Sequence, residues 1–206
     1  SKIRRGTHNH SKKEKLKWIV EGFFSDAGIM RENIDIEETG KTFEENARIK
    51  ALAAAKTENS YAIASDGGVL IHALGKNWNE LLTKRFIGLD NGTDFDRMNL
   101  LLDLMKGKTG KDRTIIWKEA IAIASPEGVV FSLEVDGDTG LLQEKCDPKQ
   151  YKEGIWLCTL TSYPQFRGRN FFELNEEEKK YGEISWWKLR DKAREFLTNY
   201  FKKERE

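Results

Sequence analysis

Thr7-His8-Asn9-His10-Ser11-Lys12 gathers hydroxyls, imidazoles, an amide and a cation directly ahead of a hydrophobic run with helical spacing. A turn that feeds a helix N-terminus presents backbone N–H groups and the positive end of the helix dipole, and so attracts phosphate oxygens. Lys12 falls in the first turn, where a cation is disfavoured by about 0.3–1 kcal/mol. A bound polyphosphate reverses that penalty; a plain surface loop is the alternative reading. Further along, Glu37, Glu38 and Asp66 are hard oxygen donors, and Lys50 is a second cation. A phosphate-rich substrate carried with magnesium needs both kinds of group.

The elements that must position these residues are legible from periodicity. Lys2 to Thr7 reads as a short first strand, although Ile3 is its only aliphatic residue. Ser11 and Glu14 form a capping-box pattern, and Leu16, Ile19, Val20, Phe23 and Phe24 recur at helical spacing, which predicts a helix over 11–24. From Glu32 to Glu45 six carboxylates accompany one lysine, so a solvated loop or a functional concentration of negative charge is expected there. Thr42 and Glu45 repeat the capping box, and Phe43, Ala47, Ala51, Ala54 and Ala55 mark the buried stripe of a helix ending near Lys56, with Asn46 and Lys50 sharing a face. Tyr61 to Ala64 reads as a buried strand, Ser65-Asp66-Gly67-Gly68 as a turn or bulge, and Val69 to Ile71 as a second apolar run. Helices are expected over 78–86 and from Asp94, a long hairpin over 113–135 turning at Pro126-Glu127-Gly128, and a helix through Leu189, Ala193, Phe196, Leu197, Tyr200 and Phe201.

Three blocks occur in a definite order: Thr7-x-Asn9-x-x-Lys12; Glu37-Glu38-Thr39-Gly40-Lys41-Thr42-Phe43-Glu44-Glu45-Asn46-Ala47-Arg48-Ile49-Lys50-Ala51; and Ala64-Ser65-Asp66-Gly67-Gly68 followed by Ala73-Leu74-Gly75. Their order and spacing resemble the inosine and xanthosine triphosphate pyrophosphatase family from residue 2 to about residue 105. The resemblance implies an α/β fold for residues 1–206: a long mixed central sheet flanked by helices, in two lobes with a cleft. It implies a homodimer and Mg2+-dependent hydrolysis, with Mn2+ as a substitute, of a non-standard nucleoside triphosphate to monophosphate and pyrophosphate. By the same resemblance Thr7, His8, Asn9, His10, Ser11 and Lys12 form the triphosphate cradle. Glu37 is a metal ligand with Glu38 beside it, Lys50 contacts phosphate, and Gly67 lies in the substrate-binding stretch. Asp66 matches the catalytic carboxylate that holds the metal and helps activate water, with Lys12 and Lys50 stabilising phosphate charge. Lys84 resembles a substrate lysine of eukaryotic members.

Departures from the pattern point to a changed substrate or to lost turnover. Bacterial relatives usually read A-D-D-S-G where this chain has Ala64-Ser65-Asp66-Gly67-Gly68, so one acidic group is replaced by a hydroxyl. The family's F-G-[YW]-D segment is replaced by Trp156-Leu157-Cys158-Thr159. Register recovers at Glu176-Glu177-Glu178-Lys179, where Lys179 matches a substrate-binding lysine, and fails again where Ser185-Trp186-Trp187 stands for S-H-R. Loss of that His-Arg pair removes donors that read a purine keto group. Trp156, Trp186 and Trp187 then either stack on a base or pack the core. A nucleotide-binding protein that has lost turnover is the rival reading.

Composition narrows the classes. With 38% hydrophobic and 33% charged residues the chain is a folded globular protein, and a net charge of +1 argues against a nucleic-acid binder. Cys146 and Cys158 form no disulfide framework or metal-ligand spacing and read as free thiols of a reducing cytoplasm. No apolar run is long enough for a membrane span. His8 and His10 lack a third ligand for a metal, His72 reads as structural, and the C-terminal Lys/Arg run as a solvated helix face.

Overall fold

The computed structural model describes residues 2–5, 10–29, 36–78, 92–153 and 156–204. Seven strands, β1 (Lys2–Arg5), β2 (Asp26–Ile29), β3 (Tyr61–Leu70), β4 (Thr114–Ser125), β5 (Gly128–Leu142), β6 (Thr161–Tyr163) and β7 (Arg169–Asn170), form one sheet in the order β2-β1-β3-β4-β5-β6-β7. The sheet is mixed. Ile3 pairs in parallel with Ala27 on one side and Tyr61 on the other, whereas β6 pairs antiparallel with β5 and β7. The helices are α1 (His10–Val20), α2 (Phe43–Glu58), α3 (Asp94–Leu104), α4 (Trp156–Thr159), α5 (Glu176–Lys179) and α6 (Ile184–Lys203). The α/β architecture expected from the sequence is therefore present. The chain divides into two compact units, one of Ser1–Gly67, Lys118–Asp136 and Ser185–Glu206, the other of Gly68–Trp117 and Gly137–Ile184.

In the first unit the sheet is apolar on both faces for different reasons. Side chains alternate along a strand, so Ile63 on β3 and Ile121 and Ile123 on β4 form a row. That row packs in one cluster with Leu16 and Ile19 of α1 and Leu189, Ala193 and Leu197 of α6. The intervening positions, Ala62, Ala64, Ala120, Ala122 and Ala124, are all fully buried and small. α2 buries a matching stripe of Phe43, Ala47, Ala51, Ala54 and Ala55. Thr42 caps α2 by accepting from the Glu45 amide at 3.0 Å, an interaction worth about 1 kcal/mol against alanine. At its other end Asn59 takes a left-handed conformation, φ 48°, and closes the helix.

Two expectations shift. α1 stops at Val20 rather than Phe24, because Gly22 adopts φ +84° and turns the chain, leaving Phe23 and Phe24 to pack from beyond the helix end. β3 runs unbroken through Ser65-Asp66-Gly67-Gly68, where a turn or bulge was expected. Neither glycine has a positive φ, so both remain extended and the polar tetrapeptide is carried inside the strand. The hairpin of β4 and β5 is longer than its sequence pattern, continuing to Leu142. Trp78 donates its indole N–H to the Val69 carbonyl at 2.8 Å, and the helix expected from 78 to 86 falls almost wholly outside the described residues.

The second unit is held by a core that includes Val69, Ile71, Met98, Leu101, Ile115 and Leu142. Arg113, 7% exposed, ties it together without a carboxylate. Its guanidinium donates to the carbonyls of Leu142 at 2.7 Å, Gln143 at 2.7 Å, and Met105 and Lys108 at 3.1 Å each. These bonds tie the segment after α3 to the end of β5. Asp138 is buried and accepts from the Tyr163 hydroxyl at 2.9 Å. Burial pushes its carboxyl up to about 7 against the partial opposition of that hydrogen bond. The folded chain thus retains a proton that the unfolded chain releases from pH 4 upward, and this stabilising contribution is lost as pH rises through about 7. Asp138→Asn keeps an acceptor for Tyr163 and removes the charge. Its melting temperature relative to the parent should be little changed at pH 4 and several degrees higher at pH 8; a difference independent of pH would contradict the buried-charge account.

Candidate functional site

The Gly40-Lys41-Thr42-Phe43-Glu44-Glu45-Asn46 stretch is a folded device that delivers Lys50. Gly40 donates its amide to Asn46 Oδ1 at 2.8 Å, and a Cβ on Gly40 would lie 2.6 Å from that oxygen and 2.9 Å from the Asn46 amide, so only glycine permits the approach. The Lys41 amide donates to Glu45 Oε2 at 2.6 Å, and the Glu44 amide to Glu134 Oε1 at 2.9 Å. Phe43, 2% exposed, anchors the first turn. Asn46 is 1% exposed and its side chain also hydrogen-bonds Asp66. The turn before α2 and the functional strand are therefore joined through one amide. One turn beyond Asn46, on the same helix face, Lys50 extends toward that strand.

At Asp66 on β3 the charges converge. Lys50 Nζ lies 3.8 Å from Asp66 Oδ1 and 3.6 Å from Glu38 Oε1, and Lys12 Nζ lies 3.6 Å from Glu119 Oε1. The side chains of Lys50, Asp66 and Glu119 are 15%, 13% and 13% exposed, so these are partly desolvated charges rather than a surface network. Burial raises the Asp66 carboxyl above the usual range; Lys50, Lys12 and the Asn46 hydrogen bond oppose that rise and Glu38 adds to it. Burial likewise pushes the Glu119 carboxyl to about 7, with Lys12 opposing and Asp66 adding. Asp66 Oδ2, Glu119 Oε1 and Ser65 Oγ are buried and lack hydrogen-bond partners among the described residues. Buried oxygens of that kind ordinarily find a donor or an ion.

The arrangement suits one class of ion. Among the described residues no group of three or more His, Cys, Asp or Glu side chains is gathered to hold a metal. The carboxylates of Glu37, Glu38 and Asp66 are not assembled as a ligand set: Lys50 stands between Glu38 and Asp66, and Glu37 is exposed. Mg2+ does not need such a cage, since it commonly keeps waters and binds through one or two carboxylates plus substrate phosphates. Asp66, with one open oxygen, fits that requirement, and two lysines beside it fit the phosphates.

The other residues singled out from the sequence fall elsewhere. Thr7, His8, Asn9 and Lys84 lie outside the described residues; His10 and Ser11 open α1. Gly67 adjoins the Glu119 carboxylate. Trp156, 6% exposed, belongs to the apolar core of the second unit and is a packing residue rather than a platform for a base. Lys179, at the end of α5, pairs with Glu176 at 3.6 Å. Trp186 packs half-buried against the core formed by α1 and α6, and Trp187, 43% exposed, meets Trp18 edge-on at 4.7 Å. Sequence reasoning missed Glu119 and gave Asn46 and Gly40 no role. The signal for Glu119 was present: Trp117, Glu119, Ile121 and Ile123 occupy alternate positions, and a carboxylate in such a row needs a reason.

The Ham1 family profile matches residues 3–183, and the chain belongs to that family, in agreement with the resemblance carried by the three sequence blocks. A dITP/XTP pyrophosphatase of Acholeplasma laidlawii is 32% identical over 170 residues, spanning 75% of this chain and 82% of the relative. One from Desulfotalea psychrophila is 31% identical over 176 residues, spanning 84% and 75%. Among solved structures, a HAM1 protein from Coxiella burnetii superposes with a TM-score of 0.74 at 25% identity, covering 98% of each chain. The Staphylococcus aureus Ham1 protein gives 0.73 at 26%, covering 99% of this chain and 100% of that one.

Gly67 makes a specific demand on this site. A Cβ there would lie 2.3 Å from Glu119 Oε2, 2.5 Å from Cδ and 2.6 Å from Oε1. The atoms met are the flexible end of one side chain, so Gly67→Ala should displace the Glu119 carboxylate at a cost of at most about 1 kcal/mol in urea unfolding, and that cost should vanish in a Glu119→Ala background of the double-mutant cycle. Strictly additive costs would show that the two residues do not meet.

Proposed function

We propose that this chain is a divalent-cation-dependent nucleoside triphosphate pyrophosphatase, converting a non-standard or modified (deoxy)nucleoside triphosphate to the monophosphate and pyrophosphate. The observation that carries the reading is the pair of lysines, Lys12 and Lys50, beside Asp66 with its open buried oxygen. Relatives named dITP/XTP pyrophosphatases supply the substrate class. Mg2+, with Mn2+ as a substitute, is the ion we assign, with Asp66 as its protein ligand. When bound, it screens phosphate charge and polarises the anhydride.

The chain's own groups divide the remaining work. Lys12 and Lys50 bind and orient the triphosphate, and the low exposure of Lys50 and Asp66 makes each charge count for more than at an open surface. Water adds across the α–β anhydride: its hydroxyl stays on one phosphorus, the bridging P–O bond breaks, and its proton passes to Asp66. Burial raises the Asp66 carboxyl, and Lys50 opposes that rise and so favours the ionised base. Asn46 fixes the carboxylate's orientation. Thr7 to Ser11 complete the phosphate cradle, Lys84, Lys179 and Trp186 serve the rest of the substrate, and Glu38 holds Lys50 from its outer side. Without an S-H-R pair, base selection differs from that of hypoxanthine-reading relatives. A homodimer in a reducing cytoplasm completes the proposal, in keeping with free thiols at Cys146 and Cys158.

Pyrophosphate release should be measured with ITP, XTP, their deoxy forms, the four common triphosphates and several modified bases, each with Mg2+ and Mn2+. At least one non-standard triphosphate should be hydrolysed in preference to the common four, and Asp66→Asn should lower kcat by about 100-fold or more. No release from any member would overturn the reading, and tight binding without release would favour a regulatory nucleotide-binding protein.

A further inference from the structure

We infer that Glu119 is a cation-binding carboxylate of this site, supplied from β4 in place of the acidic group that the chain lacks at position 65. This deepens the pyrophosphatase reading and rests on it. Three observations carry it. The first is positional: the Glu119 carboxylate occupies the space that any side chain at residue 67 would fill, with Oε2 2.3 Å from where a Cβ would stand. The pattern A-D-D-S-G has a serine at that place; here glycine vacates it. Two departures from the relatives' pattern, serine at 65 and glycine at 67, thus have a single explanation. The first removes a carboxylate from the strand and the second admits one from its neighbour.

The second observation concerns the face of the sheet. Residues 63, 65 and 67 alternate with Asp66 along β3, and Ile63 packs in the same cluster as Ile121 and Ile123 of β4. Glu119 continues that β4 row, so its carboxylate arrives on the face that Ser65 shares. An aspartate at 65 and a glutamate at 119 would place two anions on that face with Lys12 as counter-charge, and the exchange keeps one. The third observation is the state of the oxygens. Ser65 Oγ, in a residue 1% exposed, and Glu119 Oε1 have no hydrogen-bond partners among the described residues. The 3.6 Å approach of Lys12 balances charge at Glu119, and it leaves the Ser65 hydroxyl without a partner among the described residues. A hydrated divalent cation supplies both a ligand position for the carboxylate and water donors for the hydroxyl.

The test is Mn2+ binding by the full chain, read as loss of the free-ion EPR signal, with circular dichroism confirming the fold of each variant. Glu119→Gln, which keeps the shape and removes the charge, should weaken Mn2+ binding by roughly tenfold or more, and Ser65→Asp added to Glu119→Gln should restore much of it. Unchanged binding in a folded Glu119→Gln would overturn the inference, as would a double variant no tighter than the single one. If Glu119→Gln does not fold, Ser65→Asp alone decides: a second carboxylate beside Glu119 should change the affinity or number of Mn2+ ions bound, and no change would overturn the assignment. The two readings separate cleanly. Triphosphate hydrolysis with Mn2+ affinity indifferent to Glu119 would defeat this inference alone, whereas Mn2+ affinity dependent on Glu119 without hydrolysis of any triphosphate would defeat the pyrophosphatase reading alone.

Discussion

Keeping a carboxylate charged at the buried position of Asp66 is the constraint around which the first unit is organised. Burial on a central strand raises the carboxyl of such an acid, and cations and donors brought to it oppose that rise. Lys50 is carried there by α2, Lys12 stands in the first turn of α1, and Asn46 adds a hydrogen bond. Each of these elements is fixed by something other than the site. α2 is positioned by its alanine stripe and its Thr42 cap, α1 by Leu16, Ile19 and Val20. The energy of apolar burial therefore holds the charges in proximity, and the charges need contribute nothing to stability themselves.

This division of labour explains the density of the block from Gly40 to Ala51. Gly40 approaches Asn46 without a Cβ, Thr42 starts the helix, Glu45 secures the turn, Asn46 reaches Asp66 and Lys50 follows one turn later. Alanines at 47 and 51 flank Lys50 with small buried surfaces. Almost every residue in the block has a physical duty, so its spacing admits little variation. Lys12 illustrates the opposite case, a cation in a helix's first turn that helix formation alone disfavours. Glu119 lies 3.6 Å away and offsets part of that cost.

The α/β class, the capped α2, the β4–β5 hairpin and the positions of Lys12 and Lys50 on their helices were readable from periodicity, because each depends on local spacing. What was not readable depends on neighbours distant in sequence. The polar tetrapeptide at 65–68 reads locally as a turn, yet β3, with β4 as its neighbour, carries it extended. Trp156 resembles a stacking residue only until the apolar side chains of its core are placed around it. Glu119 and Gly67 are 52 positions apart, 119 minus 67, and the meaning of each lies in the other. Local patterns say which face a side chain takes; they do not say which atom on the next strand it meets.

Anomalous diffraction from crystals grown with Mn2+ and a non-hydrolysable triphosphate tests the central claim most directly, since it locates the ion and the phosphates together. The account predicts a manganese peak in contact with an Asp66 carboxylate oxygen, with the triphosphate reached by Lys12 and Lys50. Phosphates bound away from these lysines, or a manganese peak that does not touch Asp66, would contradict it.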